Sequence, residues 1–168
     1  MTEESQKSEG GCACGHVRYE VLSAPLIVHC CHCRYCQRQT GSAFAVNALI
    51  EADRVQVIQG DIEELTVVTP SGKGQTIARC PKCRIAVWSN YHMSGLKERI
   101  RFIRVGTLDN PDLMPPDVHI FTTTKQPWVQ LPEGSRVVDI YYEYEATWSP
   151  DSLSRRVALF EAAGIALP

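Results

Sequence analysis

The sequence predicts a mainly β domain with one helix near its C-terminus. Short segments rich in Val, Ile, Leu and Phe recur between turn residues, and cysteines recur in close groups between those segments. The 168 residues are 44% hydrophobic and 21% charged, which is typical of a single globular domain and too apolar for a disordered chain.

Nine segments carry the strand pattern of alternating or continuous apolar residues. They are residues 16–22, 26–29, 44–50, 54–58, 65–69, 75–79, 85–91, 100–105 and 118–121. Pro70, Gly72 and Gly74 supply turn chemistry between the fifth and sixth segments. We therefore predict that these two strands form a hairpin, which delivers Cys80 at the end of a strand.

Helix signals are found in two places. Residues 34–40, followed by Gly41, predict a short helix directly after a group of cysteines. Near the C-terminus, Ser149 is a favourable N-cap and Pro150 a favourable first helical residue. Apolar residues then recur at helical spacing until Gly164, which is a natural end to a helix.

Charge and hydropathy argue against several classes of protein. The net charge of −2 and the absence of a basic run give no reason to expect nucleic-acid binding. No apolar run is long enough to span a membrane, and the polar, acidic first ten residues lack the apolar core of a signal peptide. We therefore expect a cytoplasmic protein with reduced thiols, and we favour metal binding over a disulfide framework.

Seven of the eight cysteines fall into three close groups. The groups are Cys12 and Cys14; Cys31, Cys33 and Cys36; and Cys80 and Cys83. Structural zinc takes four protein ligands, whereas catalytic zinc takes three and keeps one position open. Seven thiolates divide into four plus three, so we predict two Zn²⁺ ions per chain.

We assign the two outer pairs to a structural site, with Cys12, Cys14, Cys80 and Cys83 as its four ligands. A metal that joins pairs so far apart in sequence closes a long loop and stabilises the folded state. The alternative is a set of buried free thiols that act as small hydrophobic side chains. Iron held by four thiolates is a second alternative to zinc.

We assign Cys31, Cys33 and Cys36 to a catalytic site with an open coordination position. Zinc there would hold an incoming thiol as a thiolate or polarise a carbonyl oxygen. The alternative is a second structural site whose fourth ligand comes from His29, His32, Cys30 or a distant residue.

Cys30 stands apart from the three groups. Adjacent residues of a strand point to opposite faces, so Cys30 and Cys31 do not both reach one metal. We predict a buried thiol at Cys30 and leave open an alternate ligand or a redox partner. Close by, Arg34 and Arg38 could hold a substrate carboxylate, or they could be ordinary solvated side chains.

Several local patterns occur together in a distinctive order. They are GCACGHVRY at residues 11–19, CHCRYCQR at 31–38, GSAF at 41–44, CPKC at 80–83, VGTLD at 105–109 and HIF at 119–121, followed by Pro127-Trp128. Over about residues 10–135 the chain resembles the glutathione-dependent formaldehyde-activating enzyme family, which also contains centromere protein V. The resemblance implies a β-tent fold of stacked antiparallel sheets, with zinc knuckles and the same division into structural and catalytic metals.

The resemblance also implies an activity, the formation of S-hydroxymethylglutathione from formaldehyde and glutathione. We therefore predict a zinc-dependent carbon–sulfur lyase that acts on a small thiol/aldehyde adduct, with Cys31, Cys33 and Cys36 as catalytic metal ligands. His119 lies in a matched stretch and is a candidate proton shuttle, or else a core histidine. The alternative from another class is a non-catalytic, zinc-stabilised interaction module.

The predicted organisation has three parts. Residues 1–9 form a flexible lead, residues 10–135 a zinc-binding β domain, and residues 136–168 an extension whose helix packs on the same domain. The expected partner is a small thiol such as glutathione, with no nucleic acid and no membrane, and a homodimer is left open. One departure from the family pattern is Arg84, where glycine commonly follows the Cys-x-x-Cys pair. We expect Arg84 to adopt a left-handed turn at some cost.

Overall fold

Ten strands build two sheets in the structure, a computed structural model that describes residues 7–92 and 95–168. The strands are β1 (Ser8–Gly11), β2 (Arg18–Val21), β3 (Ile27–Cys31), β4 (Ala45–Glu51), β5 (Val55–Gln59), β6 (Glu63–Val67), β7 (Gln75–Arg79), β8 (Ala86–Tyr91), β9 (Ile100–Arg104) and β10 (Val118–Ile120). The helices are α1 (Arg34–Thr40), α2 (Tyr144–Thr147) and α3 (Pro150–Ala163). The prediction of a mainly β fold with a C-terminal helix is confirmed.

The smaller sheet has the order β1-β2-β5, and the seven-stranded sheet has the order β10-β3-β4-β9-β8-β7-β6. The predicted hairpin of β6 and β7 is present, with Val67 opposite Gln75 across its turn. The pairing of β10 with β3 is parallel, whereas the pairings of β3 with β4 and of β4 with β9 are antiparallel. This parallel pair brings the segment after the Pro-rich loop beside the strand that leads into the central cysteines.

The central strands β3 and β4 of the seven-stranded sheet are covered on both faces, and their successive side chains point to opposite sides. One face packs against the smaller sheet, where Val28, Ala48 and Ile103 share a core with Tyr19 and Val55. The opposite face is covered by the C-terminal part of the chain. Its core contains Ile27, Leu49, Val118, Tyr142, Trp148 and Phe160. Strand β3, which lies between these two cores, is buried along its whole length.

Helix α3 has the ends that the sequence predicts. The Ser149 side chain accepts a hydrogen bond from the Ser152 N–H, Pro150 opens the helix, and Gly164 ends it with φ 65°. The helix is fixed to the larger sheet by Ser152, whose hydroxyl donates to the Leu26 carbonyl at 2.8 Å.

Strand β1 lies partly inside the segment predicted to be a flexible lead. Residues 1–6 of that lead lie outside the described residues, but Ser8 and Glu9 pair with β2. The sequence Ser-Glu-Gly-Gly has little strand propensity, so the strand depends on its neighbours. Gly10 permits a close approach, because a Cβ there would lie 2.6 Å from the Tyr19 Oη. Among the described residues, no helix has the length and apolar character needed to cross a bilayer.

Candidate active site and metal centres

Cys12, Cys14, Cys80 and Cys83 converge at one point, with all four sulfurs within 4.8 Å of one another. The Cys12 and Cys14 sulfurs are 3.5 Å apart, and those of Cys14 and Cys80 are 3.8 Å apart. Four sulfurs at 2.3 Å from a tetrahedral zinc lie about 3.8 Å from one another. The set therefore fits a structural zinc ion, and it joins two loops on the side of the smaller sheet.

Backbone N–H groups point at these sulfurs and stabilise them as thiolates. The Val17 N–H donates to the Cys12 Sγ at 3.2 Å, and the Cys83 N–H lies 3.5 Å from the Cys80 Sγ. The second knuckle ends at Arg84, which has φ 65° and whose N–H donates to the Cys80 carbonyl at 3.0 Å. The expected left-handed turn at Arg84 is confirmed. Its side chain pairs with Glu63.

The second set of sulfurs lies where β3 passes into α1. Cys31 ends the strand, Cys33 is the N-cap of the helix, and Cys36 lies in the first turn. Their sulfurs lie within 4.8 Å of one another, and among the described residues no further Cys, His, Asp or Glu belongs to this set. Three convergent sulfurs match the ligand number of a catalytic zinc.

The surroundings of Cys33 favour its thiolate. The neighbouring Cys31 and Cys36 thiols donate to its sulfur and lower the pKa of Cys33, while the same contact raises the pKa of Cys31. The Cys36 N–H also donates to the Cys33 Sγ at 3.2 Å. Cys33 also lies at the N-terminus of α1, a position that stabilises a thiolate. The set therefore presents negative charge to a cation even before all three thiols ionise.

A positively charged side chain lies on the same face of the sheet as these sulfurs. Arg104 of β9 donates to the Asn47 Oδ1 at 2.6 Å and to the Gln39 Oε1 at 2.7 Å. Burial lowers the pKa of Arg104, and the nearby Cys36 acts in the opposite direction. Both hydrogen-bond partners are neutral amides. The charge of Arg104 is thus available to offset the negative charge of the three sulfurs.

A cavity of about 500 Å³ opens beside the three sulfurs, which form part of its wall. Most of its other walls are apolar: Tyr91 and Phe102 from the sheet, and Phe121 and Tyr141 from the segment after β10. Arg34 also lines the cavity and donates to the Gln37 Oε1 at 2.8 Å. This cavity gives a small molecule room beside the three-sulfur set.

His29 lines the same cavity but is engaged elsewhere. Trp148 donates to the Tyr142 Oη at 2.9 Å, and that hydroxyl lies 2.5 Å from the His29 Nε2. Burial lowers the pKa of His29 to about 3, so the ring is neutral and its Nε2 accepts the tyrosine proton. Since Nε2 is occupied, His29 is not placed as a fourth ligand through that atom.

Cys30 and His119 lie on the other face of β3. The two residues are directly paired across β3 and β10, and His32 joins them from the end of β3. The His32 Nε2 lies 3.5 Å from the Cys30 Sγ and 3.1 Å from the His119 Nδ1. The predicted burial of Cys30 is confirmed, and burial raises the pKa of its thiol to about 12. His119 is not among the residues that line the cavity.

These three side chains form a further set of potential metal ligands, with donor atoms within 4.8 Å of one another. This grouping has no signal in the local sequence, because it depends on the parallel pairing of β10 with β3. The cavity walls at Ile140 and Tyr141 were missed for a similar reason, since they come from the C-terminal extension. Of the predicted carboxylate-binding side chains, Arg34 lines the cavity and Arg38 is exposed outside it.

Comparisons with known proteins identify a family for this chain. A crystal structure of a Rhodobacter sphaeroides protein is similar with a TM-score of 0.47 and 19% identity, over 64% of this chain and 96% of the other. No curated protein matches closely enough to count as a relative. The family model for "Glutathione-dependent formaldehyde-activating enzyme" matches residues 7–124, which include every cysteine of both sulfur sets. With well over half of its length matched, this chain belongs to the glutathione-dependent formaldehyde-activating enzyme family.

Proposed function

We propose that this protein is a zinc-dependent carbon–sulfur lyase that acts on a small thiol/aldehyde adduct. The observation that carries the proposal is the position of Cys31, Cys33 and Cys36, which line a cavity and have no fourth protein ligand among the described residues. The other four cysteines form a complete set of their own. The four-cysteine set is therefore suited to a structural metal ion, and the three-cysteine set to a catalytic one.

Cys31, Cys33 and Cys36 would hold the catalytic ion, and Cys12, Cys14, Cys80 and Cys83 the structural one. Zinc in the three-sulfur site would supply a Lewis acid with one open position, which favours the ionised form of an incoming thiol. Three thiolates and Zn²⁺ carry a net charge of −1, and Arg104 offsets it from the same face of the sheet. The apolar walls exclude water, which strengthens these electrostatic effects.

The reaction balances without a further reagent. In the forward direction the substrate sulfur attacks the aldehyde carbon, one C–S bond forms, and the carbonyl oxygen takes up the proton that the thiol has lost. In the lyase direction the hydroxyl loses its proton, the C–S bond breaks and the thiol is regenerated. The protein's contribution is to hold the sulfur ionised beside the aldehyde carbon.

The family description names glutathione and formaldehyde, so S-hydroxymethylglutathione is the first adduct to test. We place the activity in the cytoplasm as a prediction. The convergence of seven cysteines into two sets suited to metal ions supports this placement, since metal-binding thiols are typical of a reducing compartment.

The test is exchange NMR of isotope-labelled formaldehyde with glutathione in the presence of the zinc-loaded protein. We expect the protein to accelerate exchange between free and thiol-bound formaldehyde, and the Cys33→Ala variant to remove the acceleration while the fold survives. A cobalt-substituted sample gives a second readout, because an open site changes its visible spectrum when a small thiol is added. An unchanged spectrum and unaccelerated exchange would instead favour a non-catalytic zinc module.

A further inference from the structure

The cavity beside the three sulfurs is poor in charge. Its walls include the apolar side chains of Tyr91, Phe102, Ile120, Phe121, Ile140 and Tyr141, together with uncharged polar side chains from Asn47, Thr69, Ser71, Thr123 and Thr124. Among the described residues that line it, Arg34 is the one side chain with a permanent charge, and no aspartate or glutamate is present. The Arg34 guanidinium is also partly engaged, because it donates to the Gln37 Oε1 at 2.8 Å.

Glutathione is a poor chemical match to these walls. At neutral pH it carries two carboxylates and one ammonium group, and each loses hydration when it enters a cavity. A buried charge is tolerated only when it is paired and hydrogen-bonded. Arg34 could pair with one carboxylate, while the lining offers no acidic side chain to the ammonium group. The volume of about 500 Å³ is sufficient for a small molecule, so polarity and not size is the discriminating property.

Resting on the proposed function, we infer that the preferred thiol of this site carries an apolar substituent of aromatic size. Its sulfur would lie at Cys31, Cys33 and Cys36, and its substituent would pack against the aromatic walls. Burial of an aromatic ring against such walls is favourable, and edge-to-face contacts add to it. The reaction is the one described above, with a C–S bond formed to the aldehyde carbon and the thiol proton transferred to its oxygen.

The wall that selects this substituent comes from the C-terminal extension. Ile140 and Tyr141 lie beyond the matched residues 7–124, so they belong to the part of this chain outside the family model. Tyr141 is held rigidly: its ring stacks on Tyr142 at 4.5 Å and meets His29 edge-on at 5.8 Å. A rigid aromatic wall is pre-organised for a flat apolar group.

The experiment compares phenylmethanethiol with glutathione as partners for formaldehyde, using the zinc-loaded full chain and exchange NMR. We expect kcat/KM for phenylmethanethiol to exceed that for glutathione by about tenfold or more, as is usual for an apolar group of this size in an apolar pocket. Equal or higher efficiency with glutathione would overturn the inference and leave the proposed function standing. Exchange accelerated with neither thiol would overturn the proposed function itself.

Two variants of one residue test the wall directly. Tyr141→Ala should reduce the preference for phenylmethanethiol at least about fivefold, because it removes the ring that the substituent packs against. Tyr141→Phe keeps the ring and should retain the preference. A preference unchanged in Tyr141→Ala would contradict the assignment. Ile140→Arg, at a half-exposed position on the rim, should raise activity with glutathione, and its failure to do so would also count against the inference.

Discussion

Cys30 and Cys31 are consecutive residues of β3, yet their side chains lie on opposite faces of the seven-stranded sheet. Cys31 contributes to the three-sulfur set and lines the cavity, whereas Cys30 lies with His32 and His119 behind the sheet. The pairing of Cys30 with His119, and of Cys31 with Ile120, keeps this division in register. One strand therefore separates the proposed catalytic face from a second, fully buried cluster.

Alanine substitutions at Cys30 and at Cys31 should have different effects on metal content and activity. We expect Cys31→Ala to lose one metal ion per chain and all accelerated exchange, because it removes one of three ligands. Cys30→Ala is the matched control, because it removes the same thiol group from the neighbouring residue, on the opposite face of the sheet. It should keep activity. Elemental analysis and the exchange assay check both, and an inactive, well-folded Cys30→Ala variant would contradict the division of faces.

His119 should have little direct part in the reaction, because it lies behind the sheet and bonds to His32. A proton-transfer residue contributes about 10² to 10⁴ in rate. We expect His119→Gln to lower kcat by less than about tenfold, and the pH profile of kcat to keep its shape. A loss of about 10² or more in kcat, together with a changed pH profile, would show that His119 reaches the reacting groups.

The four-sulfur set should govern stability more than the three-sulfur set does. Cys14 and Cys80 are 66 positions apart, so a metal between them closes a long loop. We expect Cys80→Ser to lower the melting temperature by about 10 °C or more, consistent with a loss of several kcal/mol. Cys33→Ala should lower it by less than half as much. Equal shifts in the two variants would argue against separate structural and catalytic roles.

Arg104 should strengthen metal binding at the three-sulfur site without being a ligand. Arg104→Gln removes the charge that offsets the sulfurs, and we expect metal affinity there to fall about tenfold, as for other residues beside metal ligands. Arg101→Gln is the control from the same strand, since Arg101 packs over the Trp88 ring at 4.5 Å on the opposite face. Competition with a coloured chelator measures both. Equal metal affinities in the two variants would contradict this role for Arg104.

The Glu51–Arg155 ion pair predicts how stability depends on pH. Arg155 of α3 donates to both Glu51 oxygens, at 2.8 and 2.6 Å, and both side chains are largely buried. Burial acts to raise the pKa of Glu51, but the hydrogen bonds from Arg155 bring it below the ordinary value. A lowered pKa means that the pair stabilises the fold above the unfolded-state value of about 4.3 and that this stability is lost as pH falls below it.

We expect Glu51→Gln to cost about 3 kcal/mol at neutral pH, because the buried Arg155 guanidinium loses its closest carboxylate and keeps the exposed Asp151 at 3.6 Å. The cost should shrink as pH falls below about 4. Asp109→Asn breaks the more exposed pair with Arg18 and should cost less than about 1 kcal/mol. Urea unfolding at several pH values gives both quantities. A pH-independent cost for Glu51→Gln would show that the carboxylate charge is not the cause.

Local patterns in the sequence predicted much of this fold. Alternation of apolar residues located nine of the ten strands to within about two residues, and Ser149 and Gly164 marked the two ends of α3. The cysteine sets were predictable because each knuckle is short and has few ways to present its sulfurs. Strand β1 was missed because Ser8–Gly11 lacks strand-forming residues and is held by its partners.

The rest of the site depends on contacts between distant segments. The sequence around His119 contains nothing that indicates parallel pairing with β3, and this pairing decides which face the histidine occupies. The cavity wall at Tyr141 depends on how the C-terminal extension packs over the sheet. The apolar residues of the extension indicate that it is buried, but they do not indicate which surface of the domain it packs against.

The parallel pairing of β3 with β10 has a consequence for the protein while it is being made. A ribosome releases β3, α1 and β4 well before β10 and Tyr141, and chains are synthesised at about 5–20 residues per second. During that interval one edge of β3 has no neighbour, and an unpaired edge invites pairing with other chains. In the nascent chain, the sulfurs of Cys31, Cys33 and Cys36 are also not yet covered by Phe121 and Tyr141. Newly synthesised molecules should therefore be more sensitive than finished ones to oxidants and alkylating agents.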